Sequence, residues 1–215
     1  MVERRQLGRG GAAVRFVDET EFGFGWTPDD KLARTSHALA GDGDVWIVDA
    51  VEGEGVDDRI QGLGGEVRGV VQLLDRHARD CESFARRYDV PLYVVPDSPT
   101  LGPFEITPIL RVPGWLEVAL WWPARRVLVC ADALGTAAYF LARDERLAVH
   151  PFLRLIPPRR RLGNVQPDVV LCGHGEGILS GAAPLFHEAL STARRRIPSA
   201  LASAARARSR SRGAR

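Results

Sequence analysis

The sequence predicts an α/β layered domain. Three observations point to it: short apolar runs of strand length recur through most of the chain, helical stretches are interspersed among them, and an amphipathic helix closes the patterned part. The 215 residues suit one large domain with polar ends. This pattern alone leaves open a doubly wound sheet or a two-sheet sandwich flanked by helices.

Residues 1–11 are polar and rich in glycine (Gly8, Gly10, Gly11) and are expected to be mobile. The domain is expected over 12–202. Ala12–Phe16, Glu21–Trp26 and Ser36–Ala40 read as strands, and Val45–Asp49 as a buried one. Asp42-Gly43 supplies a hairpin turn. Val56–Leu63 reads as a short helix that Gly64-Gly65 ends. Val67–Leu74 is a second buried strand, followed by a helix over Cys81–Tyr88 and a strand over Val90–Val95. Ile106–Val112, Leu116–Trp122 and Val127–Cys130 are further strands, the last two joined by a turn at Pro123–Arg126. Ala133–Ala142 is expected to be helical, Pro151–Ile156 a short helix, and Pro157–Arg161 a basic loop. Val169–Leu171 is the last strand. Ala182–Ile197 places Leu185, Phe186, Ala189, Leu190 and Ala193 on one helical face, and Pro198 breaks or kinks it. Residues 203–215 are too polar and repetitive to form a core and are expected to be a basic disordered tail.

Composition narrows the class. The chain is 45% hydrophobic and 26% charged, with a formal net charge of +2, too small for the protein as a whole to imply a polyanionic partner. The charge is uneven, however: arginines crowd the C-terminus from Arg194 to Arg215. Met1-Val2-Glu3-Arg4-Arg5 lacks the apolar core of a signal peptide. No apolar run approaches the roughly 20 residues that span a bilayer. Three cysteines, Cys81, Cys130 and Cys172, cannot all pair within one chain, so free thiols in a cytoplasmic protein are expected, with no membrane association. The glycine-rich stretches lack the strand-loop-helix context of a phosphate loop, and no Gly-x-Ser-x-Gly elbow is present.

The chemistry concentrates in Leu73-Leu74-Asp75-Arg76-His77-Ala78-Arg79-Asp80-Cys81, Val112-Pro113-Gly114-Trp115, Ala131-Asp132-Ala133-Leu134 and Cys172-Gly173-His174-Gly175. In order and spacing these resemble the metal-binding landmarks of the metallo-β-lactamase superfamily: a His-x-His-x-Asp-His loop opening a helix, a Pro-Gly-His, a strand ending in Gly-Asp and a strand ending in Gly-His. The resemblance spans Ala12–Ile197 and implies a four-layer αβ/βα sandwich with the ligands on loops at one edge of two sheets. In the gap-free register, Arg76 and Ala78 stand at the first two histidines and Trp115 at the Pro-Gly-His histidine. Arginine keeps its charge, and alanine and tryptophan offer no usable lone pair, so that metal position is expected to be vacated. The second position then consists of Asp80, Cys81, Asp132 and His174, a donor set suited to one zinc ion. If all four bind, the shell is closed and structural; catalysis needs one position open to water.

A competing register shifts the loop by one residue. Asp75 and His77 then replace the first two histidines, Asp80 replaces the third and Arg79 takes the aspartate position. With Asp132 and His174 this makes an oxygen-rich site better suited to manganese, iron or magnesium. Plainer readings stand beside both. His174 between glycines is also a tight-turn residue, Cys81 a small buried helix residue, Asp132 a helix cap, and His77 part of a charged loop. His37 and His150 have no partner in the sequence and read as structural. Asp49, ending a buried strand, reads as support.

The resemblance therefore implies a divergent single-metal hydrolase acting on a small-molecule ester, thioester or phosphoester. The alternative is a pseudoenzyme that keeps the fold as a binding or scaffold module with no metal, Arg76 and Trp115 filling the old cavity. A weaker reading is nucleic-acid binding through Arg159–Arg161 and the tail. It is disfavoured because a short arginine run more often only solubilises a terminus, and its contacts are weak and salt-sensitive.

Overall fold

A computed structural model describes residues 12–202. The expected mobile N-terminus, 1–11, and the expected disordered tail, 203–215, lie outside the described residues.

Two sheets stack face to face. The first runs in sequence order through β1 (Val14–Thr20), β2 (Gly23–Pro28), β3 (Ser36–Gly41), β4 (Asp44–Val48), β5 (Glu66–Gln72) and β6 (Leu92–Val94). Its first four strands are an antiparallel meander. Asp42 and Gly43, both at positive φ, make the tight turn between β3 and β4 that Asp-Gly favours. Crossover helices α1 (Val56–Gly62) and α2 (Cys81–Tyr88) then lay β5 and β6 parallel to β4. The second sheet has the order β13-β10-β9-β8-β7, formed by β7 (Thr100–Leu101), β8 (Phe104–Val112), β9 (Trp115–Trp122), β10 (Val127–Cys130) and β13 (Val169–Cys172). β10 and β13 are parallel. β11 (Leu134–Gly135) and β12 (Ala148–Val149) form a separate small hairpin.

Two apolar layers explain the order. Between the sheets, Leu39, Trp46, Val48 and Val71 of the first meet Phe104, Val118, Leu120 and Trp122 of the second. Trp46 and Phe104 touch edge to face at 6.2 Å between ring centroids, and Phe22 meets Trp122 at 5.7 Å. On the outer face of the first sheet, Val56 and Ile60 of α1 and Cys81, Phe84 and Ala85 of α2 close over Ala38, Val45, Ile47 and Val70. On the outer side of the second sheet, α4 (Ala182–Thr192) buries Phe186, Ala189 and Leu190, and the single turn α3 (Arg159–Leu162) buries Leu162. The result is the expected αβ/βα sandwich.

Three expectations are corrected. Ala133–Ala142 is not a helix. The amides of Thr136 and Ala137 both donate to the His174 carbonyl, at 3.1 and 3.2 Å, so they are unavailable for helical bonds. The side chain of Phe140 also folds back against Gly135, where a Cβ would lie 2.7 Å from its ring. The basic loop Pro157–Arg161 instead ends in the turn α3, which follows Pro158. The final helix stops at Thr192 and helical structure resumes over 197–202, where Pro198 falls in a first turn that needs no amide donor.

One buried ion pair pins the segment that follows β12. Arg154, within the 3₁₀ turn Pro151–Leu155, reaches Glu145 with Nη1 to Oε1 at 3.0 Å and Nη2 to Oε2 at 2.6 Å, and also donates to the Phe140 carbonyl at 2.7 Å. Both side chains are almost fully enclosed. Removing one partner strands the other charge, so Arg154→Met is expected to lower the unfolding free energy by about 3–5 kcal/mol in urea titrations. A loss below about 1 kcal/mol would show that water reaches Glu145 and that the pair does not organise the segment.

Candidate metal centre

The parallel strands place the site. β4 and β5 end at one edge of the first sheet, and β10 and β13 end beside them in the second. Cys130 and Cys172 are register partners, so Asp132 and His174, each two residues further on, leave their strands abreast. The loop from β5 to α2 brings His77 to the same point. Backbone bonds from Thr35 to Gly173 and from Asp80 to Ala50 tie the surrounding segments together.

Glycines let His174 sit where it does. A Cβ on Gly173 would lie 2.9 Å from the Ala131 carbonyl oxygen. Gly175 has φ +87°, and a Cβ there would meet Thr136 Oγ1 at 2.3 Å.

Three donor atoms converge in this buried corner. His77 Nε2 and His174 Nε2 are 3.2 Å apart, and Asp132 Oδ1 lies 3.3 Å from the first and 3.1 Å from the second. The other ring nitrogens fix the tautomers. His77 Nδ1 faces Asp49 Oδ2 at 2.8 Å, and His174 Nδ1 faces the Leu32 carbonyl at 2.8 Å. Both oxygens only accept, so each Nδ1 carries a proton and each ring, when neutral, turns a lone pair inward. Asp132 Oδ1 is buried and has no hydrogen-bond partner.

A buried orphan oxygen beside two inward lone pairs needs a cation or shared protons. Zinc bond lengths of about 2.0–2.1 Å put tetrahedral donors about 3.3 Å apart. The observed triangle has that size, and its histidines carry the carboxylate and carbonyl supports usual for metal ligands. The residues present therefore fit a divalent metal.

Electrostatics shape the rest of the site. Burial works against the Asp132 charge, but the closeness of His174 and His77 holds its carboxyl well below the usual carboxylate range. Asp49 is likewise held low despite burial, chiefly by His77 and Arg79. For His77, burial lowers the pKa, yet Asp49, then Asp132, bring it above the ordinary value. Arg76 donates to Asp132 Oδ2 at 3.1 Å and to the Gly114 carbonyl at 2.6 Å, with its guanidinium 4.3 Å over the Trp115 ring. Arg79, at φ +42°, gives its Nη1 to the carbonyls of Thr35 and Asp49 and its Nη2 to that of Gly173. Beneath the loop lies Glu117, fully enclosed. Its Oε1 accepts from the amides of Asp132 and Ala133 at 2.9 and 2.6 Å, and its Oε2 from Trp115 Nε1 at 2.8 Å. Burial, with the Asp132 charge adding, pushes its carboxyl up to about 7. An open cavity of about 430 Å³ at the triad is also lined by Arg34, Arg76, Tyr139 and His150.

The expected four-ligand set of Asp80, Cys81, Asp132 and His174 is not assembled. Only Asp132 and His174 reach the centre, and His77 joins them. Asp80 precedes α2, and its Oδ2 accepts from the Glu52 amide at 2.8 Å. The Cys81 thiol is buried on the helical face of the first sheet, near the His77 carbonyl, and burial pushes its pKa up to about 12, away from the thiolate a metal needs. Of the shifted register, His77 arrives while Asp75 and Asp80 do not join the cluster; Asp75 bonds through its amide to Leu116. Ala78 is exposed, and Arg76 and Trp115 stack beside the triad. His150, read as structural, lines the cavity. Glu117 escaped the sequence reading, although one carboxylate inside Trp115-Leu116-Glu117-Val118-Ala119-Leu120 was a signal for it.

Solved structures with this arrangement of sheets and helices settle the fold. DIM-1 metallo-β-lactamase exposed to ceftazidime is 15% identical over 84% of this chain and 98% of its own, with a TM-score of 0.55. FIM-1 metallo-β-lactamase from Pseudomonas aeruginosa, in its mono-zinc form, is 12% identical over 87% and 97%, with a TM-score of 0.56. The chain has the metallo-β-lactamase fold. TMB-1 aligns over 89% of this chain and 99% of its own at 10% identity, with a TM-score of 0.55. No family model and no curated protein matches the sequence. At these identities the likeness extends to the fold.

The geometry makes a pH prediction for metal-free protein. His77 is expected to titrate above 6.5. Its contribution to stability is complete below that value and is lost as pH rises through the raised pKa. Asp49→Asn removes the main influence raising it, so in histidine NMR titrations the His77 pKa is expected to fall from its native value, with Asp132 alone left to oppose burial. An unchanged pKa would mean that Asp49 does not carry charge at this site.

Proposed function

We propose that the chain is a hydrolase working with one divalent metal ion held by His77, Asp132 and His174. The observation that carries this reading is the triangle of converging Nε2, Nε2 and Oδ1 atoms, with both histidine tautomers fixed from behind. Three protein donors leave a fourth position for water, which distinguishes a catalytic shell from a closed structural one. When bound, such an ion supplies a water of lowered pKa and polarises a carbonyl or phosphoryl oxygen. Zinc suits the site; two histidines and one carboxylate also suit iron or manganese.

The remaining residues bind and orient. Arg76 holds Asp132 Oδ2, which leaves Oδ1 directed at its two histidines. Arg34 and Arg76 line the cavity and favour a substrate with negative charge near the scissile ester, thioester or phosphoester. His150 lines the same cavity. Burial lowers its pKa to about 4, so it is neutral near pH 7; its Nδ1 accepts from the Phe152 amide, which leaves the proton on Nε2 as a donor.

One observation favours the alternative of a metal-free binding module. Arg76 places a guanidinium against the carboxylate that a metal would share, backed by Trp115. Elemental analysis of protein purified without added metal separates the readings. The hydrolase reading expects about one equivalent of metal. That metal is expected to be lost in His77→Ala, Asp132→Ala and His174→Ala and kept in Asp80→Ala and Cys81→Ser, with chelator abolishing any hydrolysis found. Absence of metal from all of them, after reconstitution with zinc, iron and manganese, would sink the hydrolase and leave the binding module.

A further inference from the structure

We infer that the face formed by the turn Pro151–Leu155, helix α3 and the turn that follows α4 docks on an anionic membrane surface. Three large apolar side chains stand out from it: Phe152 is 81% exposed, Leu155 65% and Ile156 76%. Of the other large apolar side chains described, Leu201 alone is as exposed, at 66%. Beside them lies an open cleft of about 450 Å³ with an apolar floor that includes Ile109 and Leu153, and with Arg159, Arg160, Arg161 and Arg194 at its rim.

The charge around this face has one sign. From Arg146 to Pro167 the sequence holds five arginines and no acidic residue, and no Asp or Glu follows Glu188. Arg154 alone of those five is neutralised internally, by Glu145. Arg159 and Arg194 spend part of their guanidinium on carbonyls, at Leu190, Ser191 and Leu155, and keep their charge. Arg159, Arg160, Arg161, Arg194 and Arg195 have no carboxylate within ion-pair distance among the described residues. Exposed apolar side chains ringed by unpaired arginines match an interface in which hydrocarbon takes the first and lipid phosphates or carboxylates attract the second. A nucleic acid would satisfy the arginines but not Leu155 and Ile156, which is why the observations favour a lipid surface. No described helix is long and apolar enough to cross a bilayer, so this is attachment to one face of it. The Phe152 ring lies 5.4 Å from His150, a residue of the metal-centre cavity, so the docked face adjoins the mouth of the site.

The test is co-sedimentation of the full chain with phosphatidylcholine vesicles, with or without about one third phosphatidylserine, at physiological salt. Binding to the anionic vesicles is expected at least about tenfold above the neutral ones, and the triple variant F152S/L155S/I156S is expected to lose it while melting like the native chain. Should that variant melt early, R160E/R161E, changed at two exposed positions, is expected to lose binding in the same assay. Failure to sediment with anionic vesicles would overturn the proposal. So would binding that survives both variants and disappears on deletion of 203–215, since the tail alone would then be the contact. A single-stranded oligonucleotide held equally by the native chain and the serine variant, with no vesicle binding, would make the face a nucleic-acid surface instead.

Discussion

The organisation of the centre depends on the carboxylate of Asp49. It follows β4 directly at φ +47°, a conformation that costs a non-glycine residue free energy and persists only where its surroundings impose it. Its amide donates to Val71, its Oδ1 accepts from the Leu73 amide at 2.8 Å, its Oδ2 holds His77 Nδ1, and its carbonyl accepts from Ser36 and Arg79. One residue thereby joins β3, β4, the end of β5 and the loop that carries His77. A buried carboxylate is costly unless every lone pair is used, and here the partners are the elements that must be aligned.

The arginines explain how a site with so many altered ligands can remain ordered. Arg79 fills the shifted register's aspartate position, but its guanidinium points away from the donors and ties together three carbonyls from separate segments. Arg76 acts on the other side, holding one oxygen of Asp132 and leaving the second unpartnered. Glu117 holds the Asp132 backbone from below through two amides. The donors are thus oriented by groups that do not themselves donate to the centre. Such support lets ligand positions be exchanged without collapse of the corner, and it concentrates the remaining donor capacity in three atoms.

Much of the fold was legible in the sequence for identifiable reasons. Cys81–Tyr88 and Val127–Cys130 match observed elements at both ends, because their patterns are bounded by strong breaks and their apolar faces are buried as expected. Asp42-Gly43 names its own turn. The metal centre was harder. The nine residues from Leu73 to Cys81 fit two registers, and the choice between them depends on which way a loop at positive φ turns at Arg79. Spacing alone carries no such direction. Apolar pattern also misassigned Ala133–Ala142, where the controlling fact is the distant His174 carbonyl capturing two amides. Asp132 and His174 were readable because each follows a buried parallel strand directly, so strand register transmits their position.

The same buried Arg154–Glu145 pair bears on how the exposed apolar side chains should be understood. An unpacked turn would let Phe152, Leu155 and Ile156 fold inward, since covering each would gain roughly 1.5–3 kcal/mol. The 3₁₀ turn is instead fastened from inside by Arg154, capped by His150 Nδ1 at the Phe152 amide, and held from the turn after α4 by Arg194 at the Leu155 carbonyl. With the backbone fixed at three points, the turn presents those side chains outward. Their exposure is therefore imposed by the fold, at a cost the monomer bears in water, and it is imposed beside the wall of the cavity that holds the three donors.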